Sequence, residues 1–314
     1  MLSRVADCIY WLNRYLERAD NIARFVQVNT HLMLDTSILG DDAVWRALVE
    51  ITGDHDNFLK RYGTYTEDNV KQFLTFDVNN PNSILESITR ARDNARFVSE
   101  TITSEMWECI NRLYLYLESV AHQDQQSFSH EFYEHIKLSN HLFIGLTHAT
   151  MSHNEAWHFS RLGRKIERAD KTSRLLDVSY FLLLAEGEQT RQALHVMHWA
   201  ALLKSASALE MYLKKYHLIE HHHVVEFLLF DKHFPRSVSH CLRGLESSLL
   251  AIFEQTGRGQ APLAYVDNLL TLFTQVTVDD VLGMGLHAFI DNIQTALNNV
   301  HDATIATYCY LEES

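Results

Sequence analysis

Residues that form turns and interrupt helices are scarce in this sequence. Its 314 residues include only three prolines and eleven glycines, while 46% are hydrophobic. Proline and glycine mark turns and the ends of strands, so a long chain with so few of them favours long helices. We therefore predict an all-α protein, a multi-helical bundle.

Paired cysteines are also missing. Cys8, Cys109, Cys241 and Cys309 lie far apart, and the chain contains no Cys-x-x-Cys pair. This spacing argues against a disulfide framework and against a zinc site. It is typical of a protein kept in a reducing compartment, and we expect a cytoplasmic location.

Long apolar runs and excess positive charge are absent as well. The longest lipophilic run extends only from Val178 to Ala185, whereas a transmembrane helix needs about 20 residues. The amino-terminal residues are interrupted by charges before any apolar core, unlike a secretory signal. Lys and Arg total 27 against 40 Asp and Glu, a formal charge of −13, and such a surface repels phosphate backbones. We expect neither membrane insertion nor nucleic-acid binding.

Signatures of common catalytic chemistry are not found. The two Gly-x-Gly pairs lack a third glycine and a preceding strand, and no Gly-x-Ser-x-Gly elbow occurs. The two Asp-Asp pairs lack the further aspartate with which a helical bundle clamps Mg²⁺ and a diphosphate. The sequence therefore supports neither nucleophilic nor phosphoryl-transfer chemistry, and we predict no cofactor.

What the sequence does contain is a charged stretch that occurs twice. Residues 14–24 and 164–174 agree at six of eleven positions. A second pair of windows, residues 73–84 and 227–238, agrees at six of twelve positions. Because two separate windows repeat at similar offsets, we infer an internal duplication. Residues 1–314 are then a single domain built from two pseudo-repeated halves, 1–149 and 150–314.

Helical periodicity places the first charged stretch on an amphipathic helix, from about residue 2 to 28. At about 100° per residue, Arg14, Glu17 and Arg24 share one arc opposite Leu12. Apolar residues cover most of the remaining girth, which predicts a helix enclosed by its neighbours. The charges then lie in a narrow channel or at an interface. The alternative is a set of ordinary (i, i+3) and (i, i+4) pairs on a solvated face.

Other helices follow from the same periodicity. Single helices are predicted over about 42–62 and 278–310, and the spacing of Ser83 and Thr277 to acidic residues three positions later predicts helix starts there.

The candidate binding or ion-pair residues come from both charged stretches. They are Arg14, Glu17, Arg18, Asp20, Arg24, Arg164, Glu167, Arg168, Asp170 and Arg174. We predict that Glu17 and Glu167 are at least partly buried. Their arginine partners are expected on their own helix, Arg14 or Arg164, or on a neighbour, such as Arg92 or Arg236.

Two further sets of residues are weaker candidates. Trp107 and Asn111, one turn apart, could stack on and hydrogen-bond a ligand, or form a core aromatic beside a polar neighbour. The repeated segments with Asp77, Pro81 and Ser83 in one copy, and with Asp231, Pro235, Arg236 and Ser237 in the other, are either ligand loops or structural turns. An arginine near a helix amino terminus, where anions are favoured, makes the second copy the better candidate.

Histidine is abundant, with nineteen residues, and helical metal sites use Glu-x-x-His pairs. Such pairs occur at Glu155 with His158 and at Glu220 with His223, but they do not correspond under the duplication. We predict no dedicated metal site and interpret any metal bound at residues 221–223 as adventitious.

Residues 2–7, 10–11, 14–19, 164–174 and 234–238 together resemble the bacterial alpha-E domain family, an all-helical domain with a Glu-Arg motif. The resemblance spans essentially the whole chain. Genes of that family tend to lie beside, or be fused to, circularly permuted ATP-grasp ligases, with transglutaminase-like cysteine peptidases nearby. The resemblance implies a system that makes or breaks amide bonds, in which the ATP-grasp partner supplies the chemistry. It provides no catalytic residues to carry over.

Two functions are therefore expected. The first is a non-catalytic binding or accessory protein of such a ligase and peptidase system. The second is an enzyme that holds an anionic peptide or amino acid in an Arg/Glu-lined channel, with Glu17 or Glu167 as acid or base.

Overall fold

A computed structural model describes residues 1–35, 41–123, 128–184 and 192–309. These residues form fifteen α-helices and no strand, which confirms the all-α prediction. The helices are α1 (Ser3–Asp35), α2 (Asp41–Thr52), α3 (His55–Tyr62), α4 (Glu67–Thr75), α5 (Ile84–Phe97), α6 (Ser104–Ala121), α7 (His130–Thr150), α8 (Glu155–Leu184), α9 (Gln192–Ser205), α10 (Leu209–Tyr216), α11 (His221–Phe230), α12 (Val238–Thr256), α13 (Gln260–Gln275), α14 (Val278–Met284) and α15 (Leu286–Tyr308).

The two longest helices, α1 and α8, form the centre of the molecule. They pack against each other, α1 also packs on α5 and α7, and α8 also packs on α12 and α15. At Gly163 of α8, an added Cβ would stand 2.1 Å from the carbonyl oxygen of Tyr10 in α1. Only glycine allows the two backbones to approach this closely. The two charged stretches, residues 14–24 and 164–174, begin on α1 and α8 next to this close approach.

Predicted helix starts agree with the structure. Ser83 Oγ accepts the backbone N–H of Glu86, 3.2 Å away, at the start of α5. Thr277 and Asp280 form a reciprocal capping box at the start of α14. Both contacts satisfy N–H groups that the first turn of a helix leaves without partners.

Three predicted helix boundaries were wrong. The first helix continues past residue 28 to Asp35, the single helix over 42–62 is interrupted at Gly53, and the last helix is interrupted at Gly285. Gly53 and Gly285 have φ of 82° and 99°, a conformation that glycine adopts without strain and that ends a regular helix. Tyr310, the predicted end of the last helix, lies outside the described residues. No helix among them is long and apolar enough to cross a membrane.

Candidate functional site

The carboxylate of Glu17 lies in the interior, with a side chain that is 0% exposed. Arg168 of α8 donates to it from Nε and from Nη2, each at 2.7 Å. Arg236, just before α12, donates from Nη1 to Glu17 Oε1 at 3.0 Å. Two guanidinium groups thus enclose one buried carboxylate, and the paired Nε and Nη2 bonds from Arg168 are the strong bidentate geometry.

Glu167 of α8 repeats the arrangement in reverse. Its side chain is also 0% exposed. Arg18 of α1 donates from Nε at 2.7 Å and from Nη2 at 3.1 Å, and Arg14 donates from Nε at 2.8 Å. In each stretch the glutamate therefore bonds the arginine that follows the glutamate of the other stretch. The two copies of the charged motif hold α1 and α8 together reciprocally.

Two aspartates extend the network. Asp20 accepts bidentate bonds from Arg24, at 2.8 and 3.0 Å, and a 2.6 Å bond from Arg236. Asp170 pairs with Arg174 at 2.9 Å and with Lys171 at 3.3 Å. The spacing of Asp20 and Arg24 is that of an ordinary helix pair, yet both residues are buried.

The surroundings of the two glutamates control their ionisation. Burial alone would raise the pKa of Glu17, but the charges of Arg168 and Arg236 outweigh it and hold this pKa well below its ordinary value. At Glu167, burial likewise raises the pKa of the carboxyl group, but the charges of Arg18 and Arg14 outweigh this effect. The pKa of Glu167 is therefore also lowered. Both carboxylates are therefore ionised at neutral pH.

Both glutamates bond arginines, as predicted, but some of the predicted arginines were wrong. Arg236 does bond Glu17, but Arg14 bonds the glutamate of the opposite helix rather than its own. Arg92 instead donates to Asn111 Oδ1 at 2.8 Å. Arg164 bonds neither glutamate, and its Nη1 is fully buried without a hydrogen-bond partner among the described residues. Helical periodicity indicates which face a residue occupies, but not which helix lies opposite.

The Asp77 and Asp231 segments are held as turns. Asp77 accepts bonds from Arg61 and Tyr62 and from the backbone N–H of Asn79. Asp231 pairs with Lys215 at 2.9 Å and accepts the N–H groups of His233 and Phe234, each at 2.8 Å. These are the bonds of a structural turn.

The residues that follow Asp231 join the segment to the core. Ser237 caps α12 by accepting the N–H of His240 at 3.1 Å. The carbonyl oxygen of Pro235 accepts a hydrogen bond from Arg168 Nη1 at 3.5 Å. The carbonyl oxygen of Arg236 accepts one from Thr172 Oγ1. In the first copy, Ser83 caps α5, and Pro81 is exposed.

Trp107 and Asn111 come together with Arg92 rather than with the central network. The Arg92 guanidinium lies 5.8 Å from the centre of the Trp107 ring and 4.4 Å from that of Tyr114. This cluster joins α5 to α6, so its contacts are those of a helix interface.

One group of possible metal ligands combines two histidines of the 221–223 run with Glu226, which sequence reasoning did not single out. His222, His223 and Glu226 of α11 have ligand atoms that all lie within 4.8 Å of one another. The spacing of His222 and Glu226, one helical turn apart, was the available signal. In the structure each is already paired, His222 with Asp279 at 2.9 Å, His223 with Glu220 at 3.2 Å and Glu226 with Tyr216 at 3.1 Å.

Comparison with known proteins adds a family match. The Alpha-E family, described as "a predicted alpha-helical domain with a conserved ER motif", matches residues 1–309. An uncharacterised protein of Mycobacterium bovis is 24% identical over 333 residues, which is 97% of this chain and 36% of that protein. An uncharacterised protein of Mycobacterium tuberculosis strain H37Rv is 23% identical over the same shares. The chain thus spans little more than a third of the length of these relatives. No solved structure matches it.

Proposed function

Because the chain belongs to the Alpha-E family, we propose that it is a non-catalytic helical module that binds and assists other proteins. Its partners in this proposal are a circularly permuted ATP-grasp ligase and a transglutaminase-like peptidase, which make or process amide bonds. The module acts beside them in the cytoplasm, and the ligase supplies the chemistry.

The observation that carries the proposal is the state of the Glu-Arg motif. Glu17 and Glu167 are buried, each is enclosed by two arginines, and each has a lowered pKa. A general acid or base works best when its pKa lies near the operating pH. Such glutamates hold no proton to donate at neutral pH, so the motif suits a role in holding helices together better than a role in proton transfer.

The length of the relatives is a second support. The region that matches this chain makes up 36% of the Mycobacterium bovis protein. There it is one part of a longer polypeptide, which is the arrangement expected of a module that works next to other segments.

The alternative is an enzyme that acts on an anionic peptide or amino acid with Glu17 or Glu167 as acid or base. That function needs a carboxyl group whose pKa is raised towards neutrality. Both glutamates depart from the ordinary value in the opposite direction. The geometry therefore favours the binding module.

Affinity capture tests the proposal. The chain, tagged and produced in its native host at its natural level, should enrich an ATP-grasp protein or a transglutaminase-like protein in quantitative mass spectrometry. An untagged strain and a strain with an unrelated tagged helical protein serve as controls. Capture that enriches neither class above both controls contradicts the proposal.

Activity of the purified chain separates the two functions. We expect no turnover of amino acids or short acidic peptides by the chain alone, with or without ATP. Product formation that disappears in Glu17→Gln or Glu167→Gln variants shown to be folded would favour the enzyme instead.

A further inference from the structure

Arg164 and Lys165 are consecutive cations of α8 that lack an acidic partner within the described ranges. Part of the Arg164 side chain reaches the surface, but its Nη1 is fully buried and makes no hydrogen bond. Lys165 is 8% exposed. Buried charges are normally paired because removing a charge from water is costly. Two neighbouring exceptions therefore call for a physical explanation.

Comparison of the two charged stretches explains why Arg164 bonds no glutamate. In the register of the two charged stretches, Arg164 corresponds to Arg14, which bonds Glu167. The glutamate expected for Arg164 is Glu17, and that carboxylate already accepts two bonds from Arg168 and one from Arg236. Arg236 thus occupies the place at Glu17 that Arg14 has at Glu167. Within the part of the chain that the structure describes, Arg164 is left without an ion-pair partner.

Positive charge exceeds negative charge around these residues. Glu17 and Asp20 are bonded by three guanidiniums, those of Arg24, Arg168 and Arg236. Arg164 and Lys165 add to this excess. Burial, together with the charge of Arg168, lowers the pKa of Arg164 to about 10. Burial first and the charges of Arg168 and Arg164 after it lower the pKa of Lys165 to about 8. The interior here is short of negative charge.

The Lys165 side chain lies in the contact between α8 and α12. Gly244 of α12 lies against the Lys165 stem, since an added Cβ would stand 3.0 Å from Lys165 Cε. Arg161, one turn before Lys165 on α8, is half-buried and lies with its guanidinium 4.9 Å from the Trp157 ring centre. We call Arg161, Arg164 and Lys165 the α8 cation cluster. Arg161 lies one turn from both Arg164 and Lys165, at the (i, i+3) and (i, i+4) spacings that place side chains on neighbouring parts of one helix face.

We propose that the α8 cation cluster is a binding site for a small oxyanion, a carboxylate or phosphate group, with Arg164 and Lys165 as its charged donors. A planar guanidinium and an ammonium together match the oxygen atoms of either group. The bound anion supplies the acceptor that Arg164 lacks because Arg236 occupies that place at Glu17. This inference does not rest on the proposed role as an accessory module.

Stability and binding together test the site. Arg164→Met removes a partly buried cation that has no ion-pair partner among the described residues, so the variant without ligand should melt at a higher temperature than the parent. Arg14→Met is the matched control, because it removes the equivalent arginine from a completed pair and should lower the melting temperature.

Calorimetric titrations with sodium glutamate and with sodium phosphate, at ionic strength held constant with NaCl, measure the binding itself. The parent should bind at least one of them in a saturable way. Arg164→Met and Lys165→Met should each bind at least about tenfold more weakly, while an exposed cation variant, Arg46→Met, should bind like the parent. The probe that saturates at the lower concentration identifies the group as carboxylate or phosphate.

Two results would overturn the proposal. One is that Arg164→Met melts below the parent, as Arg14→Met is expected to, or fails to fold, since the arginine would then already be paired. The other is that neither glutamate nor phosphate binds the parent beyond the effect of NaCl. Lys165→Met provides a comparison of anion binding with the parent that does not depend on whether Arg164→Met folds.

Discussion

Single residues fix how tightly the centre of this molecule is held. Glu17→Gln leaves Arg168 and Arg236 facing a neutral amide, and Glu167→Gln does the same to Arg14 and Arg18. Removing one partner of a buried ion pair costs about 3 to 5 kcal/mol. We expect each variant to lose about that much free energy of unfolding in urea denaturation followed by circular dichroism.

An exposed pair provides the control for this prediction. Arg46 and Glu50 pair at 2.8 Å with side chains 56% and 35% exposed, and such pairs contribute about 0 to 1 kcal/mol. Glu50→Gln should therefore unfold like the parent. If Glu17→Gln and Glu167→Gln also unfold like the parent but no longer bind a partner, the buried network is a recognition surface instead.

At the scale of helices, the close contact between α1 and α8 depends on residue 163 being a glycine, which has no side chain. Gly163→Ala would place a methyl carbon 2.1 Å from the Tyr10 carbonyl oxygen, and backbone cannot move aside as a flexible side chain does. The two helices must separate and the ion pairs between them must lengthen. We expect the melting temperature to fall by several degrees in differential scanning calorimetry.

Gly145 of α7 is the matched control. It also lies inside a helix, and an added Cβ there would meet nothing within 4 Å. Alanine is favoured over glycine within helices by about 1 kcal/mol, so Gly145→Ala should leave the protein unchanged or slightly more stable. Equal melting temperatures for the two variants would contradict the close-contact argument.

The contact between α1 and α15 should make stability depend on pH. Tyr10 Oη and His301 Nδ1 are 2.8 Å apart, and burial, with the charge of Arg14, lowers the pKa of His301 to about 4. The unfolded chain therefore binds a proton at this histidine before the folded chain does. The free energy of unfolding should fall as the pH drops from about 6.5 to about 4, and His301→Gln should make that fall shallower.

His287 provides a control of opposite sign. Its bond to Asp177 raises its pKa, so the stability that His287 contributes is present at low pH and is lost as the pH rises through the raised pKa. His287→Gln should abolish the gain in stability that the parent shows as the pH falls through this raised pKa towards 6.5, and it should leave the slope between about pH 6 and 4 unchanged. Urea denaturation at several pH values between about 8 and 4 measures both slopes. The argument fails if His301→Gln does not change the slope.

At the scale of the whole molecule, the reciprocal pairs make each half depend on the other. Residues 1–149 alone lack Arg168 and Arg236, and residues 150–314 alone lack Arg14 and Arg18. Each half then carries a buried glutamate without its partners, and we expect neither half to show a cooperative thermal transition alone. Produced together, the halves should copurify and melt cooperatively. A single half that folds by itself would contradict this dependence.

The duplication itself stays a prediction, although the helix starts agree with its register. Three consecutive helices of each half begin 154 positions apart: α3, α4 and α5 at His55, Glu67 and Ile84, and α10, α11 and α12 at Leu209, His221 and Val238. Superposing residues 1–149 on 150–314 tests it, and Glu17 should then fall on Glu167 and Asp77 on Asp231.

The sequence by itself determined the helical class and the caps at Ser83 and Thr277, and it predicted the burial of Glu17 while leaving a solvated face as the alternative. These depend on local spacing and on the scarcity of proline and glycine, which can be read along the chain. The breaks at Gly53 and Gly285 were missed because an isolated glycine is tolerated inside a helix pattern, and only the surrounding structure decides whether it takes a positive φ.

Only the tertiary structure decided which charges meet. Periodicity places Glu17 on a face of α1 but does not say that Arg168 of α8 lies opposite, nor that Arg236 arrives from the turn before α12. That choice depends on how closely α1 and α8 approach at Gly163, a distance set by packing between elements far apart in sequence. The same packing left Arg164 without an acceptor, because Arg236 reached Glu17 in its place.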